Sequence, residues 1–151
     1  MNDNIDEKFA VLRAEEEWQR AGAYSVRIQG MNRQHHISLR EEFDEHDRDG
    51  TRYIVLTDGD YPVATCRFYL AEEGVVIGRV VVLPEYRGRG LGRKTVTEAE
   101  KWISELGKKD IVIYSRVTAV GVYEKLGYSV TNENAVRSGS FDCIRMRKTL
   151  R

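Results

Sequence analysis

This 151-residue sequence has few cysteines, no excess of charge of either sign and no long apolar run. Its two cysteines, Cys66 and Cys143, stand far apart without the paired spacing of a metal site or a disulfide framework. We therefore predict reduced, structural thiols in strands. Lysine plus arginine equals aspartate plus glutamate at 24 each, so no net field favours nucleic acid as a partner.

The chain also lacks an apolar segment as long as a membrane span, and residues 1–8 lack the apolar stretch of a signal peptide. We therefore expect a cytoplasmic protein with no membrane partner. Apolar residues at 41% and charged residues at 32% are ordinary for a folded chain. This length suffices for one continuous core, so a single domain over residues 1–151 is expected.

Hydrophobic periodicity predicts an α/β chain in which a run of strands precedes the clearest helix. The predicted strands are Phe9–Leu12, Tyr53–Thr57, Tyr61–Leu70, Val75–Leu83, Ile111–Tyr114 and Phe141–Met146. The predicted helices run from about Ala14 to Gln29, from Leu91 to Leu106 and from about Ala119 to Lys125. The polar segment Arg33–Gly50 is predicted as a mobile loop with room for one helical turn.

The segment Val80–Lys94 carries the strongest functional pattern, because a buried strand there runs through a glycine-dense turn directly into a helix. Backbone N–H groups can converge at the positive end of that helix. Glycines let an anion approach closely, and arginines add charge-assisted donors. The residues concerned are Gly88, Gly90, Gly92, Arg87, Arg89, Arg93 and Lys94. The turn is therefore predicted to bind phosphate.

Two nucleotide-binding motifs fail on spacing at this turn. A dinucleotide fingerprint starting at Gly88 requires glycine where the chain has Arg93. A P-loop starting at Gly88 has a fitting end at Lys94-Thr95, but its second glycine would also fall on Arg93. A P-loop-like nucleotide-phosphate binding protein is kept as an alternative function.

The pattern Arg87–Gly92 matches the R/Q-x-x-G-x-G/A signature and resembles the GCN5-related N-acetyltransferase (GNAT) family. The order of elements from about Phe9 to Met146 is similar to that family's twisted mixed sheet of six or seven strands with helices on both faces. The resemblance implies acetyl-CoA as cosubstrate and direct acetyl transfer to a primary amine. A non-catalytic acyl-CoA sensor is a second alternative.

The resemblance also assigns residues to the coenzyme. In family terms, the amides of the turn hold the CoA pyrophosphate, and the backbone of Val80–Val82 pairs with pantetheine. That pairing requires the fourth and fifth strands to splay apart. The N–H of Val82 is assigned to the oxyanion of the tetrahedral intermediate. The implied coenzyme residues are Val80, Val81, Val82, Arg87, Gly88, Arg89, Gly90, Leu91, Gly92 and Arg93.

A second segment, Val122–Tyr128, is similar to the family's F/Y-Y-x-x-x-G-F/Y ending. Tyr123 then stands where many members keep a tyrosine as general acid, and a desolvated phenol can protonate the leaving thiolate of CoA. A packing tyrosine is the alternative interpretation. The chain departs from the family at Arg116, where many relatives carry asparagine.

No carboxylate lies within Val75–Val82, so the sequence identifies no general base. Glu73, an acid of the early loop or a water chain could serve. The acidic run Glu41–Asp49 makes Glu42 and Asp44 candidates for binding a cationic acceptor amine, although a solvated loop explains the run as well. An EF-hand starting at Glu45 fails because its twelfth position is Leu56.

Arg67 should point to the sheet face opposite Cys66 and Phe68. There it could bind a carboxylate of the acceptor or act as a surface cation. The three histidines are too scattered to indicate zinc, so no metal is predicted. The identity of the acceptor, a small-molecule or protein-terminal amine, stays open. So does the oligomeric state, with a homodimer as one option.

Overall fold

The computed structural model describes residues 8–138 and 140–151, and in these residues seven strands form one sheet in the order β1-β2-β3-β4-β5-β7-β6. The strands are β1 (Phe9–Arg13), β2 (Arg52–Asp58), β3 (Tyr61–Ala71), β4 (Gly74–Val82), β5 (Asp110–Arg116), β6 (Ser129–Ser138) and β7 (Phe141–Thr149). The helices are α1 (Glu17–Arg27), α2 (Leu39–Glu42), α3 (Leu91–Glu105) and α4 (Val120–Lys125). The prediction that residues 1–8 contain no signal peptide concerns a segment of which residues 1–7 lie outside the described residues.

The predicted mixed sheet is confirmed. Strands β1 to β4 form an antiparallel meander, β4 and β5 pair in parallel, and β5, β7 and β6 pair antiparallel. Strand β6 is the element that the sequence missed, because Ser129–Ser138 is rich in polar residues. It pairs with β7 through two register shifts, so its backbone hydrogen bonds rather than its side-chain pattern define it.

The segment after α1 contains more helix than predicted. Helix α1 continues into a π-helical turn, Ile28–Asn32, and a helical turn, Arg33–His35, which ends at His36 with a φ of 54°. Helix α2 follows, and the hydroxyl of Ser38 accepts a hydrogen bond from the backbone N–H of Glu41 at its start. Local capping therefore builds helix where the polar sequence predicted a mobile loop.

Helices cover both faces of the sheet. Residues Val96, Ala99 and Ile103 of α3 belong to the same buried cluster as Ile54 and Ile77. On the opposite face, Ala23 of α1 packs with Tyr53 and Val55. The predicted apolar face of α3 is buried, except that Leu106 at its end is 41% exposed.

Gly30 allows the π-helical turn to lie directly against β4. A Cβ atom at Gly30 would lie 2.4 Å from Cγ1 of Val81. We expect Gly30→Ala to lower the free energy of unfolding by about 1–3 kcal/mol, because Val81 or the turn must move. Urea unfolding of the two proteins measures the difference.

Gly121→Ala provides the matched control. Gly121 lies in α4, and a Cβ atom there would meet nothing within 4 Å. This substitution should raise the free energy of unfolding by about 0.5–1 kcal/mol, because alanine favours helix more than glycine does. Equal effects of the two substitutions would contradict the close approach at Gly30.

Candidate functional site

A gap between β4 and β5 forms the first part of the site. The two strands pair only where Val75–Ile77 lies beside Ile111–Ile113, although β4 continues to Val82 and β5 to Arg116. The splay that the family resemblance implied is therefore present. It opens a cavity of about 650 Å³, named here the splay cavity, whose lining residues include Val80, Val81, Val82, Arg87, Arg116, Tyr123 and Cys143.

Val82 turns its backbone towards this gap. Its neighbour Leu83 donates its N–H to the carbonyl of Val63 at 2.9 Å, and Val82 itself lies opposite Ala64 of β3. Because hydrogen-bonded and non-hydrogen-bonded pairs alternate along an antiparallel ladder, the N–H and C=O of Val82 point away from β3. The carbonyl accepts a hydrogen bond from Nε of Arg87 at 3.0 Å, which leaves the N–H facing the cavity.

The glycine turn follows Val82 and Arg87, which line the splay cavity, and leads into an open helix terminus. Gly88 and Gly90 have φ values of 82° and 76°, a region that favours glycine. Gly90 is the N-cap of α3, and no side chain of the described chain caps it. The first bond within the helix runs from the N–H of Lys94 to the carbonyl of Gly90. The N–H groups of residues 91–93 therefore have no acceptor within the helix and can bind an anion.

The arginines of the turn differ in what they contact. Arg87 donates from Nη2 to the carbonyl of Gly30 at 3.4 Å and from Nε to the carbonyl of Val82, so it joins the turn to the π-helical turn. The guanidinium of Arg89 lies 5.3 Å from the ring centre of Tyr86. Arg93 lies beside Gly90, with Nη2 at 3.4 Å from the position of a Cβ atom there. Arg89 and Arg93 are both exposed.

Tyr123 lies in the wall of the splay cavity, on α4. Its ring meets Tyr128 edge-on at 6.1 Å, and in the described chain its hydroxyl makes no hydrogen bond to another side chain. Burial raises the pKa of Tyr123 well above its ordinary value of 10.0. The phenol is therefore protonated at neutral pH and can donate a proton. Tyr128 differs, because its hydroxyl donates to Glu100 at 2.6 Å.

A bulge in β4 marks the inner end of the splay cavity. The β3–β4 register shifts between Thr65 and Arg67, and opposite this point Arg79 has a φ of 49°. Such a left-handed conformation costs a non-glycine residue about 1–2 kcal/mol. The Arg79 side chain donates to the carbonyl of Glu42 at 3.1 Å and to the carboxylate of Asp44 at 3.0 Å. These bonds hold the bulge in place.

Arg79 belongs to a buried set of charges, named here the arginine cluster: Arg27, Arg67, Arg79, Glu42, Asp44 and Asp47. Arg27 is fully buried and binds Glu42 and Asp47, each at 2.8 Å. Arg67 is 3% exposed and binds Asp44 at 3.0 Å and Asp47 at 2.7 Å. The acidic run is therefore not a free acidic surface, since three of its carboxylates bind arginines.

The arginine cluster should make stability depend on pH. Burial alone would raise the pKa of Asp47, but Arg27 and then Arg67 hold it well below the ordinary value of 3.8. The unfolded chain therefore binds a proton that folded Asp47 does not, so the free energy of unfolding falls as pH drops below about 5. Urea unfolding between neutral pH and about pH 3 measures this slope. Asp47→Asn should flatten it, and an unchanged slope would contradict the assignment.

A second cavity, of about 530 Å³ and named here the side cavity, adjoins the first. His46 stacks on Tyr69 in its wall, with ring centres 4.1 Å apart and planes within 5° of parallel. Four residues line both cavities and so define their junction: Glu41, Gly78, Arg79 and Tyr114. A molecule in the splay cavity can therefore meet a second molecule in the side cavity at the β4 bulge.

Residues 12–128 match the model of the acetyltransferase (GNAT) family. The chain belongs to this family. It is 33% identical over 114 residues to an uncharacterized acetyltransferase of Streptococcus pyogenes serotype M3, which covers 74% of this chain and 79% of that protein. As a GNAT protein, the chain is an acetyltransferase.

Solved structures agree with this assignment. A crystal structure described as that of an N-acetyltransferase from Lactobacillus plantarum is 32% identical, has a TM-score of 0.86 and covers 95% of this chain and 99% of that one. A crystal structure of an acyl-CoA N-acyltransferase from Pseudomonas aeruginosa shares the fold at 19% identity, with a TM-score of 0.81 over 93% of this chain and 99% of that one.

Several residues of this GNAT site escaped the sequence analysis. Arg79 is the main one, and its signal was Gly78, because glycine inside a strand often marks a bulge. Tyr114 was not singled out either, and its hydroxyl donates to Glu73 at 2.6 Å. Glu73 also accepts a hydrogen bond from Arg145 at 3.2 Å, so its carboxylate is already engaged. Arg116, the departure from the family, lies 4.2 Å from the ring centre of Phe141.

The remaining predictions concern membranes, metals, the cysteines and Arg67. Within residues 8–138 and 140–151, no helix is long and apolar enough to cross a membrane. The same residues contain no group of three or more potential metal-ligating side chains. Both cysteines are buried in strands, as predicted, and neither forms a disulfide. Arg67 lies on the predicted face, away from the core cluster that contains Cys66 and Phe68, but it is buried rather than a surface cation.

Proposed function

We propose that this chain transfers the acetyl group of acetyl-CoA directly to a primary amine, without a covalent enzyme intermediate. One observation carries the proposal. The splay cavity runs from Val82 and Arg87, which precede the uncapped N-terminus of α3 in the chain, past Tyr123, to its junction with the side cavity. In that order, these places suit the diphosphate, the extended pantetheine arm and the thioester of acetyl-CoA.

The coenzyme would be held mainly by backbone groups. The diphosphate lies on the amides of residues 88–92, with Arg89 and Arg93 as exposed charge-assisted donors. Pantetheine runs along Val80–Val82, where the β4 backbone lacks a pairing strand on the β5 side. Arg87 serves this arrangement indirectly, because its bonds to Val82 and Gly30 fix the turn. Leu91 and Gly92 complete the cradle at the first turn of α3.

The reaction is an acyl substitution at the thioester carbon. The neutral amine attacks the carbonyl carbon and forms the C–N bond, the C–S bond breaks, and the thiolate of CoA takes a proton from Tyr123. The proton lost from the nitrogen passes to water, and water returns one to the Tyr123 phenolate. A backbone N–H of β4 meets the oxyanion. The sequence assigned this contact to Val82, whereas the cavity junction at Gly78 and Arg79 favours Val80 as the donor nearer to the transferred group.

The acceptor would occupy the side cavity. Asp44 lines this cavity, but its carboxylate and that of Glu42 are bonded to arginines, so we assign both to holding the arginine cluster rather than to direct contact with the amine. Glu73 is engaged with Tyr114 and Arg145. We therefore infer that the acceptor binds as a neutral amine. After the attack on the thioester, its nitrogen loses a proton to water.

A thiol-release assay with acetyl-CoA and a panel of primary amines tests the proposal. The expected result is CoA release that depends on the amine, with formation of an equal amount of the acetylated amine. Binding of CoA without any amine-dependent release would support an acyl-CoA sensor instead. Calorimetry with ATP tests the nucleotide-binding alternative, and tight ATP binding without CoA binding would contradict the proposal.

A further inference from the structure

The side cavity contains a cationic donor that the protein leaves unused. Arg67 directs its two Nη atoms to Asp44 and Asp47, but its buried Nε has no hydrogen-bond partner within the described residues. Burying an unpaired donor of a charged group is unfavourable. Because Nε is closed to solvent, the Arg67 side chain must turn before a ligand oxygen in the side cavity can satisfy it, so the contact with a ligand falls to Arg79, the other member of the arginine cluster whose guanidinium lines this cavity.

Arg79 presents a second donor at the junction of the two cavities. Its described hydrogen bonds use Nε and Nη2, so Nη1 is left for a ligand. Burial lowers the pKa of Arg79, and the charge of Arg67 lowers it further. The guanidinium nevertheless stays protonated, and the effect of Arg67 shows that the two arginines repel each other, a repulsion that Glu42 and Asp44 offset in part. A bound anion would relieve that repulsion.

The less exposed carboxylates around the side cavity are already engaged. Asp44 binds Arg67 and Arg79, and Glu41 accepts hydrogen bonds from the N–H and hydroxyl of Ser140, whereas Glu45 is exposed. Next to Arg79, the unused polar group is therefore a donor rather than an acceptor. This pattern favours an anionic group on the acceptor over a second cationic group.

The position of Arg79 fixes where that anion lies relative to the reacting amine. Arg79 lines both cavities, and the amine must reach the acetyl group at the same junction. An anion bound to Arg79 therefore lies within a few bonds of the amine. Tyr114 at the junction and Tyr69 and Val76 of the side cavity give this end of the site an apolar and aromatic wall, which suits an apolar or aromatic side chain.

We propose that the acceptor is a free α-amino acid, whose carboxylate binds Arg79 while its side chain packs beside Tyr114. This inference rests on the proposed acetyl transfer. It assigns to the side cavity a substrate class with an amine and a carboxylate on the same carbon. A peptide or protein terminus differs, because an amide replaces the carboxylate.

Calorimetry on the protein saturated with CoA tests this inference with pairs of acetylated products that differ only in the carboxylate. The probes are N-acetyl amino acids with apolar and aromatic side chains, each compared with its carboxamide. We expect the carboxylates to bind about tenfold or more tightly than the amides, because a charge-assisted hydrogen bond to arginine is lost in the amide. Equal binding of the two forms, or binding of neither while CoA binds, would overturn the acceptor assignment and leave the acetyl transfer intact. Absence of CoA binding would overturn both.

Arg79→Lys keeps the charge but removes the forked guanidinium, so it should reduce the preference for the carboxylate by about tenfold. Arg52→Lys is the matched control, because Arg52 is exposed and lies over Trp102, away from both cavities. The preference should survive in this control. An unchanged preference in Arg79→Lys would contradict the role of Arg79. If that variant does not fold, the comparison of matched products on the unaltered protein still decides the inference.

Discussion

Tyr123→Phe is expected to lower kcat by about a hundredfold or more at neutral pH, the usual contribution of a positioned general acid. The substitution removes only the hydroxyl, which makes no side-chain hydrogen bond in the described chain, so packing against Tyr128 is kept. The Kd for CoA should therefore stay within about twofold of the unaltered value. Steady-state kinetics of thiol release, with calorimetry for CoA, separate the two effects.

Tyr128→Phe is the control for this prediction. The Tyr128 hydroxyl donates to Glu100, so its loss should reduce stability and leave kcat nearly unchanged. The pH dependence gives a second check. Burial raises the pKa of Tyr123, so the rate should not fall on the alkaline side below about pH 10. Unchanged turnover in Tyr123→Phe would remove this residue from the mechanism.

Gly90→Ala is expected to weaken CoA binding by about thirtyfold. Gly90 has a φ of 76°, so alanine must adopt a left-handed conformation at a cost of about 1–2 kcal/mol. The new Cβ atom would also lie 3.4 Å from Nη2 of Arg93, at the open end of α3. Any movement that relieves this strain displaces the amides that would hold the diphosphate. Calorimetry with CoA measures the change.

Gly107→Ala tests whether backbone strain alone explains that loss. Gly107 follows the other end of α3 with a φ of 81°, and a Cβ atom there would meet nothing within 4 Å. Both substitutions should lower stability by a similar amount, about 1 kcal/mol. Only Gly90→Ala should weaken CoA binding. Binding of pantetheine, which lacks the diphosphate, should be similar in both variants. A parallel loss of CoA affinity in Gly107→Ala would point to strain instead.

The parts of the fold that follow from local chemistry were predictable from sequence. The glycine turn before α3 combines a helix start with glycines that adopt positive φ, and both signals are local. The gap between β4 and β5 was available only through the family resemblance. It depends on where parallel pairing stops, after Ile77 and Ile113, and no residue pattern marks that point.

The acceptor side could not be predicted, because its structure depends on contacts between distant residues. Arg67 binds Asp44 and Asp47, which are more than nineteen residues away, and these contacts turn an acidic run into a buried charge cluster. The charge pattern of the run is the same whether it is solvated or paired. The β4 bulge at Arg79 likewise depends on its register with β3, which one glycine indicates only weakly.

The central claim is that the backbone amides of residues 88–92 form the site that binds the CoA diphosphate. Nuclear magnetic resonance of the ¹⁵N-labelled protein during a CoA titration tests it most directly, because it observes each amide separately. The account predicts that the amides of Gly88 to Gly92 shift most, together with those of Val80 and Val82. Saturable CoA binding that leaves the amides of residues 88–92 unshifted would contradict it.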